Sequence, residues 1–301
     1  MNRVHPLADL DIGQVRAMLS PILGDAGIRE AAPVEGGLIN TLYRVTLDRG
    51  DAVYALRVYA GGCAVFDRER QILSRLATAL PVPEVLLADA SAQPYLVYRW
   101  IEGMTLNDFR RQSTPDALLT LAEPLGRLLA RIASLSLDSP SIQVETRLAQ
   151  ADEQLRAGLA RERLDGELAD RLRGLLAGNA LFFEHGRGLV HGDLGGRNLL
   201  VKPTSRNEWE ISGVIDWETA AAGSALWDVG SLFRYSRRYS PDFREFFEQG
   251  YRAGGGELPP DWWRIARLLD ATRLVAILSE ERKLPGVFAE CRELIESVLL
   301  D

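Results

Sequence analysis

The stretch HGDLGGRNLLV, from His191 to Val201, joins an acid to a carboxamide five positions later, Asp193 to Asn198. A second acid, Asp216, follows 23 positions after Asp193 in the apolar run GVIDWE. Phosphoryl transfer needs a carboxylate near the attacking hydroxyl, oxygen ligands for Mg²⁺ and a cation on the phosphates. The stretch therefore indicates that chemistry. Asp and Asn also form ordinary turns in Gly-rich loops, an alternative that the loop alone leaves open.

Composition excludes several classes of protein. The chain has 301 residues, of which 47% are hydrophobic, enough for two lobes with separate cores. A net charge of −7 with scattered arginines argues against nucleic acid as a partner. No apolar run reaches the length of a membrane span, and the N-terminus lacks a signal-peptide core, so we expect a cytoplasmic protein with no membrane partner. Cys63 and Cys291 are expected to be thiols rather than zinc ligands or a disulfide.

Hydrophobic periodicity changes along the chain. After a short amphipathic helix that contains Val15 and Ile22, residues 40–60 alternate around a turn at Asp48–Asp51, which predicts a β-hairpin. A helix is predicted at about residues 64–79, followed by extended runs at 85–88 and 95–100. Beyond Gly103 the helical period dominates, except near residues 188–217. The pattern predicts an α+β fold with an antiparallel sheet first and helices afterwards.

Two charged residues of the first third support the phosphoryl-transfer hypothesis independently of the loop. Ala55 and Arg57 lie on one face of the predicted strand AVYALRVYA, where a small residue could admit adenine and a cation could reach phosphates. Glu69 falls in the apolar stripe of the following helix, and a carboxylate on a buried face needs a partner. Arg57 is the expected partner. The alternative is that Glu69 lies at the edge of the apolar stripe and is exposed to solvent.

The loop motif, His-x-Asp followed by four residues and Asn, is met by His191, Asp193 and Asn198, and Asp216 follows within IDWE. With this motif the chain resembles the aminoglycoside phosphotransferase and choline kinase group, whose fold is that of protein kinases. The resemblance implies an N-lobe at residues 1–100, a C-lobe at 101–301, and ATP or GTP as co-substrate with Mg²⁺. By resemblance Asp193 accepts or orients the hydroxyl proton, Asn198 and Asp216 hold Mg²⁺, and His191 supports the loop.

The same resemblance assigns residues to nucleotide binding. This chain has Arg57 where the better-known members have Lys; Arg stays charged, but its larger fork changes the geometry at the phosphates. The segment EGGLIN lies where a glycine-rich loop would approach the phosphates. The backbone around Arg99 and Ile101 would face adenine. The assigned residues are Gly36, Gly37, Asn40, Ala55, Arg57, Glu69, Arg99 and Ile101.

The run TAAAGSALWDVGSLFR matches the family segment that ends in Asp-x-Gly. The resemblance makes Asp228 a structural support that braces the catalytic loop through backbone contacts. Only 12 positions separate Asp216 from Asp228, too few for the activation segment of protein kinases. The expected acceptor is therefore a small-molecule hydroxyl rather than a protein.

The helical tail leaves the acceptor open. Carboxylates there would suit an aminoglycoside-like polyamine, an aromatic cage would suit an amino alcohol such as choline, and sugars are a further class. We also expect one of the adjacent Trp262 and Trp263 to be core, and most of the acids to lie on solvated helix faces. The other hypothesis for the whole chain is a nucleotide-binding regulator or pseudokinase without acceptor phosphorylation, suggested by Arg57 and the irregular glycine segment. The acids and aromatics considered are Glu245, Glu248, Asp261, Asp270, Glu280, Glu281, Trp227, Tyr235, Trp262 and Trp263.

Overall fold

The structure is a computed structural model that describes residues 5–35, 39–60, 62–90, 93–136, 144–180, 188–206, 208–282 and 284–300. The chain clusters into two compact units. Unit 1 comprises Met1–Met104, Leu199–Lys202 and Ser212–Thr219, and unit 2 comprises Thr105–Asn198, Pro203–Ile211 and Ala220–Asp301. Each unit is described by itself below. The division into lobes at residues 1–100 and 101–301 stays a prediction.

Unit 1 is built on a five-stranded antiparallel sheet of order β1-β2-β3-β5-β4. Its strands are β1 (Ile28–Pro33), β2 (Thr41–Leu47), β3 (Val53–Val58), β4 (Val85–Asp89) and β5 (Tyr95–Arg99), and its helices are α1 (Ile12–Leu23) and α2 (Cys63–Leu76). The predicted hairpin is confirmed as β2 and β3, whose register pairs Thr41 with Val58 and Leu42 with Arg57. The sheet therefore holds Arg57 near the end of β3.

The core of the sheet explains why these segments form strands and a helix. Alternate residues Tyr43 and Val45 of β2 and Leu56 and Val58 of β3 are buried in one cluster with Val15, Leu19 and Leu23 of α1. The spacing of the α1 residues places them on one face of a helix. Asp11 caps that helix, because its side chain accepts a hydrogen bond from the Gln14 backbone N–H. The predicted N-terminal amphipathic helix is thus confirmed.

Unit 2 is mainly helical. Its helices are α3 (Leu106–Gln112), α4 (Pro115–Leu119), α5 (Ala122–Ser134), α6 (Val144–Arg156), α7 (Leu159–Leu164), α8 (Gly166–Gly178), α9 (Leu226–Leu232), α10 (Pro241–Ala253), α11 (Trp262–Leu278) and α12 (Pro285–Leu300). Helices α5 and α10 approach closely at two glycines. A Cβ on Gly126 would lie 2.1 Å from the Phe247 carbonyl oxygen, and a Cβ on Gly250 would lie 2.1 Å from that of Glu123. The backbones can be this close only because both positions lack a side chain.

Short strands frame the HGDLGGRN loop. Strand β7 (Gly188–Val190) ends immediately before His191 and pairs antiparallel with β10 (Ala221–Gly223). The remaining strands are β6 (Met104–Thr105), β8 (Leu199–Pro203) and β9 (Trp209–Val214), which form a sheet of order β6-β8-β9. An antiparallel sheet followed by helices is the predicted α+β class.

Two further expectations concern cysteine and membranes. Cys63 is exposed, Cys291 is buried, and both are free thiols as predicted. Burial raises the pKa of the Cys291 thiol to about 11. Across the described ranges, no helix is both long and apolar enough to cross a membrane.

Candidate active site

In unit 1, the Arg57 side chain binds three carboxylates. Its Nη2 donates to Asp216 Oδ1 at 2.6 Å and to Glu218 Oε2 at 2.7 Å. Its Nε lies 3.3 Å from Glu69 Oε2. The planar guanidinium holds five N–H donors in a rigid fork, so its separate nitrogens can serve acceptors on different sides. Arg57 therefore connects strand β3, helix α2 and the turn that follows β9.

Glu69 is buried, with only 2% of its surface exposed. The Tyr59 hydroxyl donates to its Oε2 at 2.5 Å, and the Trp217 backbone N–H donates to its Oε1 at 3.3 Å. The apolar stripe of α2 carries the carboxylate inward, since Phe66, Ile72 and Leu73 of the same helix are also buried. The alternative of an exposed rim position for Glu69 is wrong, and the predicted contact with Arg57 is present.

Burial and charge act against each other in this cluster. Burial raises the pKa of Glu69, although the Arg57 guanidinium opposes that rise. Burial alone would lower the pKa of Arg57, but the carboxylates of Glu69 and Asp216 outweigh it and raise the value well above the ordinary one. Burial and repulsion by Asp216 also raise the pKa of Glu218. The cluster thus concentrates negative charge around one buried cation.

Asp216 occupies an unusual backbone conformation. Its φ of 70° lies in the left-handed region, which costs free energy for a residue other than glycine. The side chain is 36% exposed, while its Oδ1 accepts from Arg57. A carboxylate kept at a strained position is a feature typical of functional sites.

Sequence reasoning missed Glu218 as a member of the cluster. Its Oε2 accepts from Arg57 and, at 2.7 Å, from Asn40 Nδ2. Asn40 is buried, and its Oδ1 accepts from the Ala60 backbone N–H at 3.2 Å. Asn40 therefore joins β2 to the Asp216–Glu218 turn rather than facing solvent. The signal for Glu218 was available, because it ends the motif IDWE.

The other residues assigned to nucleotide binding lie in different settings. Ala55 is buried in β3, next to the strand that carries Arg99. The Arg99 side chain is exposed and pairs with Glu84 at 3.0 Å, so only its backbone is suited to a fixed role. Ile101 is half-buried and lies close to Gly213. A Cβ added to Gly213 would lie 2.9 Å from the Ile101 side chain. Gly36 and Gly37 lie outside the described residues.

In unit 2, Asp228 anchors the start of the loop. Its Oδ2 accepts from the His191 backbone N–H at 2.7 Å and its Oδ1 from that of Gly192 at 3.0 Å. Asp228 is only 3% exposed, and burial raises its pKa while the two N–H donors oppose the rise. Gly192 has a φ of 81°, a conformation that favours glycine. The fully buried His191 accepts at Nδ1 from the Asp193 N–H at 3.3 Å.

Two arginines hold the Asp193 carboxylate. Arg197 Nη2 lies 2.9 Å from Oδ2, and Arg273 Nη2 lies 3.0 Å from Oδ1. Arg273 Nη1 also donates to the Gly192 carbonyl. Asn198 Nδ2 donates to the Asp193 backbone oxygen at 2.8 Å. Both ends of the loop and its central carboxylate are therefore fixed within unit 2.

Neither arginine was assigned from the sequence. Arg197 lies inside the quoted loop, four positions after Asp193, so a local signal existed. Arg273 lies on α11, 81 positions after Gly192, and nothing near it in the sequence indicates the contact. Burial lowers the pKa of Arg273, and the Asp193 carboxylate opposes that effect.

The donor chemistry can be tested against Mg²⁺. Within the described ranges, no three His, Cys, Asp or Glu side chains converge as a metal-binding group. Mg²⁺ commonly binds through one or two protein oxygens together with substrate phosphates and water. Asp216 in unit 1 offers a partly exposed carboxylate, and Asn198 in unit 2 carries an amide oxygen while its side-chain nitrogen donates to the Asp193 backbone oxygen. Each of these donors, taken within its own unit, has the chemistry of a ligand for a metal that arrives with a nucleotide.

Comparison with known proteins adds a family and a fold. The sequence model of the phosphotransferase enzyme family matches residues 30–269. No curated protein sequence matches the chain significantly. Many solved structures do match.

One similar structure is an aminoglycoside phosphotransferase in ternary complex with ADP and hygromycin B, with 21% identity, 95% and 98% coverage of the two chains, and a TM-score of 0.67. A macrolide 2′-phosphotransferase from Brachybacterium faecium has 19% identity, 93% and 98% coverage and a TM-score of 0.68. A choline kinase from Streptococcus pneumoniae has 14% identity, 95% and 97% coverage and a TM-score of 0.68. These likenesses show the fold.

Proposed function

This chain belongs to the phosphotransferase enzyme family, and we propose that it transfers the γ-phosphoryl group of ATP or GTP to a hydroxyl of a small molecule. The observation that carries the proposal is the Asp193 loop, anchored by Asp228 and clamped by Arg197 and Arg273. Such fixing of one carboxylate suits a reaction that depends on positioning. Since the co-substrate is a nucleoside triphosphate, we place the reaction in the cytoplasm.

Each residue has a proposed role. Asp193 orients the acceptor hydroxyl with a hydrogen bond and takes its proton as the oxygen attacks phosphorus. His191 and Asp228 keep the loop backbone in place. Asn198 and Asp216 are the residues that would hold Mg²⁺, and the ion would neutralise charge on the phosphates.

On the nucleotide side, Arg57 is the proposed phosphate-binding cation, and Glu69 orients it. Asn40 holds the Glu218 carboxylate beside that cation. The backbone at Arg99 and Ile101 is proposed to face the base, with Ala55 leaving room for it. Gly36 and Gly37 complete the proposed phosphate loop.

One structural neighbour was captured with hygromycin B and another is a choline kinase, so aminoglycosides, amino alcohols and sugars form the starting panel. A pseudokinase would bind nucleotide without phosphorylating any acceptor.

The test compares wild type with Asp193→Asn for phosphoryl transfer to that panel. The variant keeps the shape of the side chain but loses the carboxylate, so turnover is expected to fall by about 10²- to 10⁴-fold. Asp25→Asn, a change at an exposed carboxylate, is the control and should retain activity. Equal turnover in wild type and Asp193→Asn would rule out Asp193 as the base. Nucleotide binding without transfer to any acceptor would favour the pseudokinase.

A further inference from the structure

Two acids of the helical tail, Asp270 and Glu248, are already bound within unit 2. Arg234 forms a two-point pair with Asp270, at 2.6 and 2.8 Å, and Asp270 is only 4% exposed. Most of the acids were expected on solvated helix faces, and the buried Asp270 is an exception. Glu248 accepts from Arg252 and from the Trp262 indole N–H at 2.9 Å. These carboxylates are poorly placed to recognise the amines of a polycation.

The aromatic faces are also occupied. The Arg238 guanidinium lies 4.2 Å from the Tyr235 ring centre, and that of Arg244 lies 4.4 Å from the Trp263 ring centre. Arg147 covers Trp227 at 5.5 Å. Trp262 is buried among Phe233 and Phe247 and is the core member of its pair, as predicted. A cage for a quaternary ammonium needs open aromatic faces, and arginines already cover these.

Four arginines of this region have no carboxylate partner among the residues that the structure describes. We call them the arginine face: Arg110, Arg237, Arg238 and Arg244. Arg110 donates instead to the Tyr239 hydroxyl at 3.1 Å and to Asn107 Oδ1 at 3.0 Å. Arg237 and Arg238 are exposed, and Arg244 is partly so. These four cations lie in a chain whose net charge is −7, and the Glu290 carboxylate interacts with Tyr235 beside Arg238.

The members of the arginine face lie close together. Tyr239 contacts Arg110 through its hydroxyl and its ring, and the charges of both Arg110 and Arg238 lower its pKa against a larger rise caused by burial. Phe233 contacts both the Tyr239 ring beside Arg110, at 5.1 Å, and the Trp263 ring beside Arg244, at 5.0 Å. Like charges held together favour an anion between them.

The arginine face adjoins the catalytic loop. Asn107, which binds Arg110, donates its backbone N–H to the Gly196 carbonyl at 2.9 Å. A Cβ on Gly196 would lie 2.6 Å from Asn107 Oδ1, so this approach depends on glycine. At the other end, the Arg234 that precedes Tyr235 pairs with Asp270, one helical turn before the Arg273 that holds Asp193.

We infer that the acceptor of this enzyme carries an anionic group, a carboxylate or a phosphate ester, which the arginine face binds while the acceptor hydroxyl lies at Asp193. Arginine forks match both groups with two parallel hydrogen bonds. The inference rests on the proposed function and narrows its acceptor from polyamines and quaternary ammonium alcohols to acidic or phosphorylated alcohols.

The first test is calorimetric binding with the full chain saturated with ADP, so that the nucleotide phosphates cannot compete. Inorganic phosphate and acetate are titrated separately as the two anion probes, and tetramethylammonium is the cation probe. We expect at least one anion to bind. Arg238→Gln and Arg244→Gln should each weaken that binding by about tenfold, the effect of losing one charge-assisted contact. Arg131→Gln, at an exposed arginine on α5, is the matched control and should leave it unchanged.

The pattern of results separates the alternatives. Binding of phosphate alone indicates a phosphorylated acceptor, and binding of acetate alone indicates a carboxylated one. The inference is overturned if neither phosphate nor acetate binds, or if anion binding is unchanged in both arginine variants. It is also overturned if tetramethylammonium binds and the anions do not. A rise in Tm on addition of ADP that is the same in the variants as in the wild type would show that the variants remain folded.

A turnover measurement separates this inference from the proposed function. Pairs of alcohols that share a carbon skeleton, with and without the anionic group, are compared as acceptors. The arginine variants should lower kcat/KM for the anionic member and spare the neutral one. If the anions bind but no alcohol is phosphorylated, the proposed function fails at the transfer step. If neutral alcohols are phosphorylated as well as anionic ones, the function stands and the inference falls.

Discussion

At the scale of single residues, Arg57 shows why one cation is not equivalent to another. Its Nε and Nη2 serve different carboxylates, with Glu69 on one side and Asp216 and Glu218 on the other. A lysine ammonium gathers its donors on one nitrogen and does not reproduce these separate contact points. The buried Glu69 would then keep Tyr59 and Trp217 as donors but lose its counter-charge.

We therefore predict that Arg57→Lys lowers the free energy of unfolding by about 1–3 kcal/mol, the cost of an incompletely compensated buried polar group. Urea denaturation measures it. Arg99→Lys is the matched control, because the Arg99–Glu84 pair is 61% and 62% exposed. Its change should be no more than about 0.5 kcal/mol. Equal losses in the two variants would contradict the importance of the Arg57 fork.

The raised pKa of Glu69 predicts a pH dependence of stability. A carboxyl group with a higher pKa in the folded state binds more protons there than in the unfolded chain. Its contribution is therefore complete below the ordinary value of 4.5 and is lost as the pH rises through the folded value. The pKa values of Asp165, Asp170 and Glu248 are lowered in the folded state. The stability that these three groups contribute is therefore lost as the pH falls.

The comparison of wild type with Glu69→Gln isolates this contribution. Above pH 4.5, the wild type should lose stability relative to the variant as the pH rises. Chemical denaturation at a series of pH values measures the difference. A difference that does not change with pH would show that Glu69 has the same pKa in both states.

At the scale of elements, the crossing of α5 and α10 depends on two glycines that the sequence did not single out. Gly126→Ala would place a methyl group 2.1 Å from the Phe247 carbonyl oxygen, a distance that only movement of the helices can relieve. We expect it to lower the free energy of unfolding by about 1–3 kcal/mol, as overpacked cores do. Thermal or urea denaturation measures the loss.

The control for this substitution lies in another helix. Gly174 of α8 has nothing within 4 Å of a Cβ position, so Gly174→Ala meets no steric obstacle. Alanine should there raise stability by about 0.5–1 kcal/mol through helix propensity. If both changes had the same sign, close approach at Gly126 would not explain its effect.

The predictability of each element followed from the strength of its local pattern. The β2–β3 hairpin was predicted from the alternating sequence around its turn, and the prediction was correct, although only the first half of β2 alternates in burial. Strand β1, IREAAP, was not predicted, because its exposure does not alternate and a proline ends it. Glu69 was placed correctly by helical spacing. The role of Arg273 could not be predicted from the sequence. Its contact with the catalytic loop forms only when α11 folds against a segment that lies 81 positions earlier in the chain.

At the scale of the whole molecule, the proposed function predicts that nucleotide binding stabilises the native chain. ADP with Mg²⁺ at 100 times its Kd should add about 2.7 kcal/mol to the free energy of unfolding, because the unfolded chain does not bind it. The Tm should rise with ADP concentration and rise less when a chelator removes the metal. Asp193→Asn should retain the effect, since its proposed partner is the acceptor. A Tm that is independent of ADP would contradict both the kinase and the pseudokinase hypotheses.

Unit 1 is assembled from chain segments that are far apart in sequence, which matters for anyone who wishes to excise it. A polypeptide that stopped at Met104 would keep the five-stranded sheet but lose the turn that carries Asp216, Trp217 and Glu218. Arg57 and Glu69 would then share one ion pair in place of a network, with the fully buried Trp217 gone from beside them. Such a fragment is expected to be insoluble or molten, and ribosomal synthesis must pass residue 219 before this part of the protein can reach its native state.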